Sequence, residues 1–549
     1  MESRIVRTCA IVWTLLTLHY ATVSGLDSFA EAEWPNSGGG IENRREVHSQ
    51  NCMINEKTAP KLKLKWRFIT GHTNFSDVTA TPSISDDFVY FPDWAGFLYA
   101  VHRENGTLAW KTNLTNVTGT GALGTVFSKH TPVVSGKYLF VGLQSPAVVL
   151  AVDRRNGDLI WAKVIDPTLG AIITMSGTVY GSYYYVGVSS AQEGLPVELC
   201  CTFQGSFVKI DIETGKIVWR TKMLPDNGGE QGLYAGAALW GSSPSIDAKR
   251  NLVFIATGNN YQVPPSVQEC QEKQDNKTVP DNPDPCILPG DHSESILALD
   301  LDTGDIKWSH HLGGYDTYVT VCPTNPSVAK SPNCPKIPGP DYDFGEAPMM
   351  LTIPKITKHS KDAAPEEWQD IVVAGQKSGI VWALDRDDGR LVWANVAGPG
   401  GDIGGISYGS ATDSHRVYVS IINNKVENFT LVPSKNVTQM GGWVGIDASN
   451  GTTLWTTATP GTISNFPTGP VSVANGVLFT TSLGPLNGSL YALDAKTGGV
   501  LWEYNFNTAI YGGVSLDGDC VFLGQGIEDG FIGFVNHGGA VSAFCIEGD

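Results

Sequence analysis

Adjacent cysteines at Cys200-Cys201 are the first residues whose type and spacing could do chemistry. Such a pair can stay as two thiols, enter two separate bridges, or close on itself. In an oxidising compartment the vicinal disulfide is the expected reading. Three further pairs suggest themselves: Cys270–Cys286, Cys322–Cys334 and Cys520–Cys545, the last tying strands of the final repeat, while Cys52 is left over. Other combinations fail on context. Gly119-Thr-Gly121-Ala-Leu-Gly124 has the spacing of a dinucleotide loop, but no strand–helix–strand unit surrounds it. Gly405-Ile-Ser407-Tyr-Gly409 has the spacing of a nucleophile elbow, but lies in a strand-rich repeat. Both are expected by chance in a chain with 62 Gly. No Cys-x-x-Cys-His occurs, so no c-type haem is attached. His310-His311 follows a repeat tryptophan, has no zinc-like spacing on a helix, and reads as surface.

The elements that must position any site are set by a repeat. Tyr491-Ala-Leu-Asp494 leads through Gly498 to Trp502. The same form runs from Asp153 through Gly157 to Trp161, from Asp211 through Gly215 to Trp219, and from Asp300 through Gly304 to Trp308. It recurs from Asp385 through Gly389 to Trp393 and from Asp447 through Gly451 to Trp455, with a weaker copy from His102 through Gly106 to Trp110. Alternating apolar residues on both sides of a Gly turn read as a hairpin. Asp bonds its own turn, Gly supplies the positive φ, and Trp gives each hairpin a rigid body to pack on its neighbour.

Each unit holds enough residues for four short strands, which is one propeller blade. Two partial copies complete the count. Ala540-Val-Ser-Ala-Phe-Cys-Ile stops before its Trp, and Leu62-Lys-Leu-Lys-Trp66-Arg-Phe is a strand with a Trp but no turn. The expectation is an all-β, eight-bladed propeller whose last blade is completed by the N-terminal strand. Closure removes the free edge strands.

The formal net charge of −18 argues against nucleic acid and anionic membrane as partners. Residues 1–24 read as a signal peptide: Arg4 and Arg7, an apolar run from Cys9 to about Leu18, then small residues. That run is too short to span a bilayer, so no membrane insertion is expected. Nine Asn-x-Ser/Thr sequons follow, at Asn74, Asn105, Asn113, Asn116, Asn276, Asn428, Asn436, Asn450 and Asn487, and fit a secreted, extracellular glycoprotein. Residues 25–58 are polar and Gly-rich and read as a loose arm, and the propeller occupies 59–549. Pro-rich inserts at Gln262–Ser295 and Gly313–Asp343 are expected on one face of the ring, where loops build sites.

Beyond the repeat, five motifs carry a resemblance: Cys200-Cys201-Thr-Phe-Gln-Gly205, Leu239-Trp240-Gly-Ser-Ser-Pro-Ser-Ile-Asp247, Ala256-Thr-Gly-Asn259-Asn-Tyr261, Asp341-Tyr-Asp343-Phe-Gly-Glu-Ala-Pro348 and Gln376-Lys377-Ser-Gly. The chain resembles the quinoprotein alcohol dehydrogenases, which use pyrroloquinoline quinone (PQQ) and a hard cation. It is most similar to the polyvinyl-alcohol dehydrogenase-like branch and its secreted plant relatives. The resemblance implies a floor for the quinone at Trp240 and a lid from a Cys200–Cys201 disulfide. It implies calcium-type ligands at Asn259, Glu193 and Asp343, a catalytic base at Asp343, and Lys377 beside the quinone oxygens. It also implies a small or polymeric alcohol as substrate and an external electron acceptor.

Four positions depart from the family's pattern. Thr79 stands for a Glu, Lys129 for the Arg that binds a cofactor carboxylate, and Gln204 for an Arg. An ungapped alignment places Gln192 on the metal Glu, and Glu193 takes that place only with a shift. The alternative reading is a cofactor-free extracellular propeller that binds a partner or does non-redox chemistry in its axial pocket. Gln192 turned inward with Glu193 outward would favour that alternative.

Overall fold

The computed structural model describes residues 34–546, apart from 48–51, 72–75, 86, 120–125, 145, 275–283, 325–329, 356–366, 485–486 and 530–533. The leader, Asn74, Asn276 and most of the 119–124 glycine loop lie outside the described residues. The repeat folds as its pattern dictates. Ala147–Asp153 pairs antiparallel with Leu159–Asp166, and Ser489–Asp494 with Val500–Asn505. Each hairpin is the outer half of a blade of four antiparallel strands, and eight such blades, two of them extended by a further short strand, form an eight-bladed β-propeller. Blade one spans Ser83–Asn113, and blade eight is Val514–Cys545 completed by Lys63–Ile69. That last strand pairs antiparallel from Lys63 opposite Cys545 to Ile69 opposite Ala540. The innermost strands touch one another around the axis.

The Gly–Trp spacing has a geometric cause. The Trp of one blade lies beneath the turn Gly of the next, where a Cβ at Gly157 would stand 2.6 Å from the Trp110 ring and one at Gly106 2.6 Å from Trp66. Both glycines have positive φ. The indole N–H then donates to a carbonyl in the neighbouring turn region. Trp110 reaches Arg154 at 3.0 Å, Trp161 reaches Ile212 at 2.9 Å, and Trp393 reaches Ala448 at 2.9 Å. Trp66 does the same to Arg103 at 2.8 Å, so the terminal strand carries the docking tryptophan that joins blade eight to blade one.

All four expected disulfides are present: Cys200–Cys201, Cys270–Cys286, Cys322–Cys334 and Cys520–Cys545. Cys52 is a buried free thiol. Two expectations are corrected. His310 and His311 are partly buried, and both bond carbonyls, of Gly389 and Ser293. Residues 34–47, read as part of a loose arm, are packed into the ring. Trp34 and Arg45 are fully buried. The segment bonds blade after blade: Trp34 with Ile84, Pro35 with Val134, Asn36 with Thr178, Ile41 with Ile246, Glu42 with Met350, Arg44 with Thr412. Glu46–Val47 then pairs parallel with Val473–Ala474 in blade seven. Its polar composition reflects hydrogen bonding to strand edges, which sequence alone cannot distinguish from solvation. Among the described residues no helix is long and apolar enough to cross a membrane.

Candidate active site

Loops from successive blades meet on one face and enclose an axial cavity of about 280 Å³. Its wall includes Trp240, Lys377, Asp343, Glu193 and Lys129, residues drawn from blades two to five. Asp343 is anchored from two sides. The backbone N–H of Asn259 donates to its Oδ1 at 2.6 Å, and Lys377 Nζ lies 3.1 Å from its Oδ2. Gly258 makes this approach possible, because a Cβ there would stand 2.5 Å from Asp343 Oδ1. The Thr-Gly-Asn motif is therefore a seat for Asp343. Gly345 has a matching role: a Cβ there would meet the Trp240 ring at 2.7 Å. Lys377 Nζ sits 5.4 Å from the Trp240 ring centroid and also pairs with Asp341 at 3.1 Å.

The charge balance of this corner is unequal. Glu193, Glu294, Asp316 and Asp341 crowd around Asp343, with Lys377 as the cation the structure places among them. Burial, reinforced by Asp343, pushes Glu193 up to about 7. Burial does the same to Asp316, although the backbone N–H groups of Tyr342 and Asp341 counter it. Asp341 and Glu294 are driven well above the usual carboxylate range, first by burial. Burial alone would lower Lys377, but Asp341, Asp343 and Glu193 hold it well above the ordinary lysine value. A buried cluster with more carboxylates than cations favours either protonation or an added cation.

The residues expected as a set are not all at the cavity wall. Cys200 and Cys201 are wholly buried and are not among the described residues that line it. They pack in the core cluster that also holds Tyr261 and abuts Trp240. Asn259 contributes its backbone N–H, while its side-chain amide donates to the carbonyls of Asn260 and Tyr318. Gln192 faces away: its Oε1 accepts from the N–H groups of Thr202 and Phe203, fixing the loop after the cysteines. Glu193 lines the cavity and accepts from the Thr320 hydroxyl at 3.1 Å. Glu193, not Gln192, is therefore the side chain that faces the cavity.

Another part of the wall suits an anion. Lys129 lies 4.2 Å over the Trp94 ring, whose indole donates to Thr79 at 2.9 Å. Thr79, Thr131 and Lys129 face the cavity together. Gln204 does not: it bonds the carbonyls of Pro225 and Tyr234. Ser37 and Tyr408, which no motif marked as functional, also line the cavity.

A family of PQQ-type repeats described as outer membrane protein assembly factor BamB matches residues 54–221, 148–329 and 440–541, more than half of the chain. Among curated proteins the chain is similar to a polyvinylalcohol dehydrogenase of a Pseudomonas species, 27% identical over 510 residues. That match covers 88% of this chain and 69% of the relative. The polyvinylalcohol dehydrogenase of Sphingopyxis strain 113P3 is 26% identical, with 88% and 68% covered. The chain belongs to this PQQ-repeat family. Among solved structures, the quinohemoprotein alcohol dehydrogenase from Comamonas testosteroni superposes with a TM-score of 0.67 at 18% identity, covering 94% of this chain and 81% of that one. A europium-containing methanol dehydrogenase superposes at 0.65 with 17% identity, covering 93% and 98%. Both share the family's propeller.

The cavity's lining suits a flat ligand that carries acidic groups. Trp240 offers a flat ring with the Lys377 ammonium 5.4 Å from its centroid, and Lys129 and threonine hydroxyls elsewhere in the wall suit acidic groups. Among the described residues no three His, Cys, Asp or Glu side chains form a ready metal group. A hard cation held by Glu193 and Asp343 would therefore also take neutral oxygens, as such ions do.

Proposed function

We propose that this protein is a secreted quinoprotein that oxidises an alcohol with PQQ and a calcium-type cation, and passes the electrons to an external acceptor. The observation that carries the reading is Asp343, held between the Asn259 N–H and Lys377 beside the Trp240 face. PQQ, when bound, supplies the electrophilic quinone carbon that accepts hydride from the alcohol carbon. Trp240 would hold its plane and Lys129 with Thr79 and Thr131 its acidic groups. Lys377 would face its oxygens. Asp343 would take the alcohol proton on its carboxylate, because its Oδ1 and Oδ2 are already oriented by fixed donors. Glu193 and Asp343 would hold the cation.

Glu193 in the cavity wall and Gln192 turned into the loop support this reading over the cofactor-free propeller. The relatives named polyvinylalcohol dehydrogenase support an alcohol substrate, small or polymeric. Secretion is supported by four disulfides and by exposed sequon asparagines such as Asn105, Asn428 and Asn450. The test is to purify the protein, add PQQ and Ca²⁺, and follow the quinone absorption band and dye reduction with alcohols. Binding of PQQ with alcohol-dependent dye reduction is the expected result. Absence of both would return the cofactor-free propeller to first place.

A further inference from the structure

Arg45 is fully buried at the end of the segment that winds through the ring. Among the described residues its guanidinium makes three hydrogen bonds. Nη1 donates to the Ser37 carbonyl at 2.5 Å, and Nη2 donates to the Ser37 hydroxyl at 2.8 Å and the Tyr408 carbonyl at 3.3 Å. Ser37 and Tyr408 both line the axial cavity, and Arg45 and Tyr408 are 363 residues apart in sequence.

Tyr408 is in turn central to the cavity's aromatic wall. Its ring meets Trp240 edge-on at 5.7 Å between centroids and Tyr511 at 5.2 Å. Its backbone has φ of +68°, a conformation that costs free energy for an aromatic residue and must be held by its surroundings. Its N–H donates to Gly345, the glycine under Trp240. On the other side, the Ser37 N–H donates to Ser176, another cavity residue. The chain makes room for the guanidinium at Gly409, where a Cβ would stand 2.4 Å from it. Glu346 sits close enough to stabilise the charge, its own oxygens held by Ser410 and the Gly375 N–H.

We infer that residues 34–47 close the inner end of the axial cavity, and that Arg45 is a positioning residue that fixes Ser37 and Tyr408 so that Trp240 is held as a seat for a flat ligand. Only a planar fork with several N–H donors serves a carbonyl and a hydroxyl on one segment and a carbonyl on another. A lysine keeps the charge but brings a single nitrogen, and a methionine keeps the bulk without donors. The nature of the flat ligand rests on the proposed function; the pinning itself does not.

The test uses the full-length protein with R45K and R45M, read in two ways. Hydrogen exchange followed by mass spectrometry should show at least tenfold faster exchange in peptides covering 34–40 and 403–412, with outer strands of blades two and three unchanged. PQQ titrated against tryptophan fluorescence should show an apparent Kd raised at least tenfold, with R45K between wild type and R45M. If the Arg45 variants do not fold, S37A, which removes the hydroxyl partner, carries both readouts with smaller shifts in the same peptides. Unchanged exchange at 403–412, or a uniform rise across all blades, overturns the inference. If wild type binds no PQQ, the proposed function fails and exchange alone judges the pinning.

Discussion

Asn259 and Asp343 are joined by a backbone N–H to carboxylate hydrogen bond of 2.6 Å, and the residue before Asn259 is a glycine because nothing larger leaves room. Gly258→Ala places a Cβ 2.5 Å from Asp343 Oδ1 and must displace the carboxylate. The expected result is a folded protein whose kcat falls on the order of 100-fold, since a misplacement near 1 Å costs that much. Steady-state kinetics beside near-ultraviolet circular dichroism check it. Unchanged kcat would show that Asp343 is not the group that matters.

Asp343→Asn keeps an oxygen for the Asn259 N–H but removes the base. Turnover should fall by about 10²- to 10⁴-fold, the usual range for a lost general base. PQQ affinity should change far less, because Trp240 and Lys129 are untouched. A kcat assay and a fluorescence titration on the same preparation separate the two effects. Parallel loss of both would make Asp343 a structural residue.

The ring was legible because a propeller writes itself as a repeat. Each docking Trp needs a Gly in the next blade, so the spacing survives in the sequence, and the incomplete copies at the two ends gave the closure. Asp343, Lys377 and Trp240 were legible through motifs, and one cavity joins them. Residues 34–47 were not legible. Successive stretches of the segment meet different blades, so no period forms, and polar side chains that bond strand edges look the same as solvated ones. Asp316 and Glu294 were also missed. An acidic residue buried beside other acids has no local sequence signal; its burial is decided by loops from distant blades.

Closure predicts a stability effect. Trp66 is buried under Gly106 and bonds Arg103, so Trp66→Ala removes the docking tryptophan between the last blade and the first. The expected loss is roughly 3–5 kcal/mol, the range for deleting a buried aromatic. Urea titration checks it, and the whole ring should unfold in one transition. A loss confined to blade eight, with the other blades still protected from exchange, would contradict closure.

A cation at Glu193 predicts a chelator effect. Glu193 is half-buried in the cavity wall with its pKa pushed up to about 7, and a bound cation would keep it ionised. Removing calcium with a chelator should lower the Tm of wild type, and added Ca²⁺ should restore it. Glu193→Gln should make the Tm insensitive to both, as binding that stabilises only the folded state is lost. Equal chelator sensitivity in wild type and variant would place the cation elsewhere.

His130 sets an acid limit on stability. Its ring is fully buried, with Nε2 3.0 Å from the Tyr184 hydroxyl, and burial lowers its pKa to about 3. In the unfolded chain a histidine titrates near 6.5. Between these values the unfolded state binds the extra proton, so the stability contributed by neutral His130 is complete above pH about 6.5 and is lost as pH falls toward about 3. The loss is about 1.4 kcal/mol for each pH unit below that point. The raised carboxylates Glu193 and Asp316 act with the opposite sign, since they gain stability as pH falls toward the ordinary carboxylate range. They are present in both proteins of a comparison and cancel. His130→Gln keeps a polar partner for Tyr184 and cannot take the proton. The variant should be the less stable protein at pH 7, through lost packing, but its unfolding free energy should fall less steeply on acidification. The gap between wild type and variant should narrow by about 2 kcal/mol from pH 6.5 to 5. Urea titrations at three pH values measure it, and curves that stay parallel over that range would show that His130 reaches water in the folded protein.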